Sequence, residues 1–65
     1  VDMVVTTNDT VYVFEFKTSG TARQALEQIS SHGYAIPYQT EGRRVVKIGV
    51  KFNPDTRVPD DWIVE

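Results

Sequence analysis

The 65-residue sequence has no cysteine, a single histidine, and no excess of positive charge, with seven Lys+Arg against nine Asp+Glu for a net charge of -2. Without cysteine there are no disulfides, no thiolate zinc site and no thiol catalysis, and one histidine does not make a histidine-rich metal centre. No apolar run approaches the roughly 20 residues of a membrane span, and no signal peptide is visible. Repeats, low-complexity tracts and linkers are also missing, and the acidic balance argues against a strong free-standing nucleic-acid binder. What remains is an ordinary globular composition, 40% hydrophobic and 25% charged, expected in the cytoplasm. A single domain of this size buries only roughly 60% of its unfolded surface, so its core is marginal. The chain runs from Val1-Asp2-Met3 straight into a strand-like segment, which reads as a piece of something longer.

Positions 2–7 and 10–17 are rich in β-branched and aromatic residues and read as strands. Asn8-Asp9 between them tolerates the left-handed conformation of a tight hairpin. The period then changes: Ala22, Ala25, Leu26 and Ile29 recur at helical spacing between Thr21 and His32. Thr21 serves as N-cap after Gly20, and Gly33 supplies a left-handed stop. Pro37 prevents continuation, so Tyr34 to Gly42 reads as a connection with at most a short turn. Arg44 to Phe52 alternates as a third strand, Asn53 to Asp60 reads as a loop, and Trp62-Ile63-Val64 as a short closing strand.

The expected fold class is therefore α/β, a mixed sheet in the order β-β-α-β-β. The third strand should lie parallel to the second through a right-handed crossover. Met3, Val5, Tyr12, Phe14 and Phe16 fall on one face of the first hairpin, and Val4, Val11 and Val13 on the other. One helix covers one face. A sheet apolar on both faces needs a second layer, from further chain or from another copy.

A two-residue turn at Asn8-Asp9 pairs Thr7 with Thr10, Val4 with Val13, and Asp2 with Glu15. Opposed residues have Cβ atoms about 4.5 to 5.5 Å apart. Asp2 and Glu15 would then be two carboxylates face to face, with Lys17 next along the same face. That repulsion can be relieved by a divalent cation with oxygen ligands. An ion pair with Lys17 relieves it equally well, and spacing does not choose between the two.

The pattern Asp2, hairpin, Glu15-Phe16-Lys17, helix resembles the PD-(D/E)xK nuclease superfamily. The nearer likeness is to bacterial nuclease-like domains that follow an ATPase-like domain, carried by YVFEFK, ALEQI, GYAIPY, GRRVVKIGVKF and DDWIVE across nearly the whole chain. The resemblance implies a restriction-endonuclease-like core at residues 1–65 that lacks its N-terminal helix. It also implies Mg²⁺ (or Mn²⁺) held by Asp2, Glu15 and the backbone carbonyl of Phe16, with Lys17 acting on the attacking water and the phosphate. Gln28 resembles the glutamine on the helix after the ExK strand, and Tyr34 the tyrosine beyond it. The implied reaction is phosphodiester hydrolysis, on DNA ahead of RNA. The implied partners are nucleic acid and an ATPase-like domain in the same longer chain, with no membrane. The competing expectation is an inactive nuclease-fold module that regulates or binds beside that ATPase-like domain. The 65 residues alone are expected to be inactive, and the uncovered sheet face to support a homodimer.

Other residues suggest less. Arg43, Lys47 and Lys51 alternate along strand three and read more simply as a solvated face than as a phosphate contact. His32 reads as an exposed residue at the helix end, and Trp62 with the strand-two aromatics as core.

Overall fold

The computed structural model describes residues 2–33 and 42–65. Two strands, β1 (Met3–Thr6) and β2 (Thr10–Lys17), form a hairpin in the register Met3↔Phe14, Val4↔Val13, Val5↔Tyr12 and Thr6↔Val11. The turn is built by side chains rather than by left-handed backbone. Thr7 donates its amide to the Thr10 carbonyl at 2.8 Å, and the Thr10 amide donates to Thr7 Oγ1 at 3.2 Å. Thr10 Oγ1 donates to Asp9 Oδ1 at 3.1 Å. Among the described residues the only non-glycine with positive φ is Arg57, so the left-handed turn expected at Asn8-Asp9 is corrected.

The helix α1 (Ala22–Ser31) starts at a reciprocal cap. Gln24 donates its amide to Thr21 Oγ1 at 3.1 Å, and Gln24 Oε1 accepts from the Thr21 amide at 2.9 Å. Gly33, at φ 67°, lets the chain leave the helix, since a side chain is strained in that region. The apolar stripe expected from spacing is the buried stripe: Ala22, Ala25, Leu26 and Ile29 all lie inside.

The crossover returns the chain as β3 (Arg44–Phe52), parallel to β2 from Thr10↔Arg44 to Lys17↔Lys51. β4 (Pro59–Val64) then runs antiparallel to β3, giving the sheet order β1-β2-β3-β4. β4 begins at Pro59 rather than Trp62, because pairing with β3 reaches back past the aspartates to Phe52↔Pro59 through an irregularity at Lys51/Phe52. The expected connection at Tyr34 to Gly42 lies almost wholly outside the described residues, as do Tyr34 and Pro37.

Alternation decides which residues meet the helix. Val11, Val13 and Glu15 of β2 are buried under α1, with Ile29 packed on Val11 and Val13. Gly49 of β3, paired with Glu15, makes the closest approach: a Cβ there would strike the Ala22 carbonyl and the Leu26 amide. Glycine at this position lets helix backbone lie directly on strand backbone.

The other face has no helix. Phe16 meets Phe52 edge-on at 5.3 Å between ring centres and lies 6.0 Å from Phe14. Trp62, expected in the core, is 60% exposed there. Its place opposite Val50 in the ladder puts it on the uncovered face.

Candidate active site

The carboxylate corner is made by the way β1 ends. The ladder stops at Met3↔Phe14, and Asp2 lies just beyond it. Its amide donates to the Phe14 carbonyl at 3.0 Å, and its Oδ2 accepts from the Phe16 amide at 2.7 Å. Asp2 therefore straddles Glu15 along β2. The two carboxylates expected to face each other are brought together, although by these two bonds rather than by regular strand pairing.

Glu15 is 7% exposed and buried beneath α1. Its pKa is raised above the ordinary carboxylate value, first by burial and then by the negative charge of Asp2. Gln28 Nε2 points at Glu15 Oε2 from the helix, at 3.4 Å. The capped helix and the close approach at Gly49 hold Gln28 over the strand, which is how a residue thirteen positions away reaches the acid.

Phe16 contributes backbone. In a strand the N–H and C=O of one residue point the same way. The Phe16 N–H points to the β1 side, to Asp2, so its carbonyl lies on that edge as well. The donor set at this corner is thus two carboxylates and one carbonyl, all hard oxygen. Mg²⁺ is commonly bound by one or two carboxylates completed by water and phosphate, and this set fits that ion. Among the described residues no third acidic or histidine side chain joins the pair.

Lys17 follows Glu15 by one alternation and is half-buried at the end of β2. It opens onto a cleft of about 460 Å³ between the 18–20 turn and the polar flank of α1. Gln28, Ser31 and His32 line the helix side of the same cleft. The lining by His32 and Ser31 was not legible in the residues: it arises only because the helix lies back over the end of β2. Gly49 carried a signal that alternation alone passes over, a glycine inside an otherwise β-branched strand.

The β3 cations are largely occupied. Lys47 Nζ donates to Ser30 Oγ at 3.4 Å, and Lys51 Nζ donates to the Phe52 carbonyl at 3.2 Å and lies 3.9 Å from Asp60. They do not gather with Asp2 and Glu15. Among the described residues no helix is long and apolar enough to cross a membrane.

A family profile described as the PD-(D/E)XK nuclease superfamily matches residues 1–62. An uncharacterized protein in the vnfD 5′ region of Azotobacter chroococcum mcd 1 is 40% identical over 67 residues. That match takes in 100% of this chain and 13% of the relative, so the chain spans a small part of the relative's length. No solved structure matches at a significant level.

Proposed function

The chain belongs to the PD-(D/E)XK nuclease superfamily, and we propose that it carries the core of a divalent-metal-dependent nuclease hydrolysing phosphodiester bonds of nucleic acid, DNA ahead of RNA. The observation that carries the reading is the placement of Asp2 across Glu15, with the Phe16 carbonyl on the same edge. Nothing in a plain hairpin requires two carboxylates at one corner, one of them buried at a cost.

Asp2, Glu15 and the Phe16 carbonyl would hold Mg²⁺ or Mn²⁺. When bound, such an ion supplies Lewis-acid charge to a phosphate oxygen and acidifies water. The chain's own residues supply the rest. Gln28 holds Glu15 Oε2 and so fixes the orientation of the carboxylate. The Phe16 amide does the same for Asp2. Lys17, one alternation beyond Glu15 and on the cleft wall, would steady negative charge on the phosphate and orient the incoming water. Burial of Glu15 keeps bulk water from screening that charge.

The test is a thermal one. Mn²⁺ binding to the folded state raises the melting temperature by mass action. We expect a rise with wild type that Glu15→Gln abolishes; equal shifts in both proteins would refute the metal centre. Nuclease activity of the longer protein, lost in Lys17→Ala with metal binding retained, separates the active reading from the inactive one.

A further inference from the structure

We infer that the cleft beside Lys17 is a subsite for one unpaired nucleotide next to the scissile phosphate, so that the substrate is a single strand or a frayed end. The inference rests on the nuclease reading of the Asp2–Glu15 corner and extends it to substrate class.

Three observations support it. First, the cleft and the carboxylate corner share residues. Gln28 contacts Glu15 and also lines the cleft, and Lys17 belongs to the cleft wall one alternation beyond Glu15. A strand whose phosphate lies at the corner therefore has its neighbouring nucleotide at the cleft.

Second, the size and chemistry of the cleft suit a nucleotide. Its volume of about 460 Å³ is in the range of small-ligand sites, the scale of a single nucleotide. Ser31 and His32 lie about one helical turn, roughly 5.4 Å, beyond Gln28 on the same flank. The wall thus offers an amide, a hydroxyl and an imidazole in sequence, groups that hydrogen-bond base edges and sugar oxygens. Charge is mixed: the Lys17 ammonium favours phosphate, whereas Glu27 in the same wall repels it and accepts from base amino or sugar hydroxyl groups. Such a wall holds a whole nucleotide better than a bare run of phosphates.

Third, several cations of the described residues that could grip a duplex backbone are already engaged. Duplex binding rests on phosphate contacts from a basic stripe. Lys47 and Lys51 of β3 are engaged with Ser30, Phe52 and Asp60, Arg23 lies 3.5 Å from Glu65, and the chain carries net charge -2.

The test uses fluorescence anisotropy in Ca²⁺ with a labelled single-stranded oligonucleotide and with the same sequence as a duplex. The single strand is expected to bind about tenfold more tightly. Ser31→Trp, at an exposed helix position, fills the cleft and is expected to weaken single-strand binding about tenfold, the weight of one nucleotide's contacts. Its melting temperature and Mn²⁺ response should match wild type, which separates blocking from misfolding. Equal affinity for the two forms, or unchanged binding by a folded Ser31→Trp, overturns the subsite. If Mn²⁺ shifts the melting temperature but Ser31→Trp binds normally, the subsite fails and the metal reading stands. If strand binding is blocked by Ser31→Trp without any Mn²⁺ shift, the subsite stands and the metal reading fails.

Discussion

Odd-numbered residues of β2 face the helix and even-numbered ones face away, and along Thr10 to Phe14 the two sets are about equally apolar. Their fates differ. Val11 and Val13 are fully buried, while Tyr12 and Phe14 remain half-exposed among Met3, Val5, Trp62 and Val64. The covered face is also the one that carries charge, with Asp2, Glu15 and Lys17 at its end. One strand therefore uses its helix face for core at one end and for the candidate site at the other. The opposite face of the same strand presents Thr10, Tyr12, Phe14 and Phe16, and no charged residue. Hydrophobicity alone does not say which face receives the helix; the handedness of the crossover between the parallel strands β2 and β3 does.

The largest way to break the contrast is at the contact that seats the helix. Gly49→Ala places a methyl against helix backbone, which has no rotamer with which to yield. A loss of about 3 kcal/mol is expected, at the upper end of overpacking costs, read by urea unfolding. A loss within error would mean the helix rides easily and the covered face is not tightly set.

The open face should respond in the opposite manner. Trp62→Lys on this 60% exposed residue is expected to change folding stability by less than about 1 kcal/mol. In sedimentation, wild type should self-associate and the lysine variant should be monomeric, because exposed apolar patches of this kind mark association surfaces. Identical sedimentation of the two proteins would show that the open face is not what joins copies.

The smallest effect belongs to the buried acid. The folded-state pKa of Glu15 is raised, so its contribution favours folding fully below its unfolded value and is lost as pH rises through the raised one. Without divalent cations, Glu15→Gln should therefore be more stable than wild type at neutral pH. The gap should close as the pH falls to about 4, where the unfolded glutamate also protonates. A gap independent of pH would assign the effect to packing rather than charge.

Much of the hairpin and helix was legible because both rest on local rules. Val4↔Val13 followed from a two-residue turn, and the buried stripe Ala22, Ala25, Leu26, Ile29 followed from a 3.6-residue period. The turn chemistry was misread because threonine and aspartate side chains closed it without left-handed backbone. Trp62 was misread because residue type predicts burial only where a second layer exists. Pairing with β3 lengthened β4 back to Pro59, and a proline-containing loop pattern does not record long-range pairing.

The site divides in the same way. Residues 2, 15 and 17 could be picked out by number, since strand alternation and hairpin register are properties of consecutive residues. Sequence likewise determined the helix with its caps, the parallel placement of β3, and the apolar character of both sheet faces. The tertiary structure alone decided that Asp2 straddles Glu15, that Gln28 reaches Glu15, and that Ser31 and His32 share a cleft with Lys17. The first depends on how β1 ends beside β2, and the other two on where α1 lies over the sheet. That position is set by contact between helix and strand backbone at Gly49, an interaction between residues more than twenty positions apart that no local period encodes.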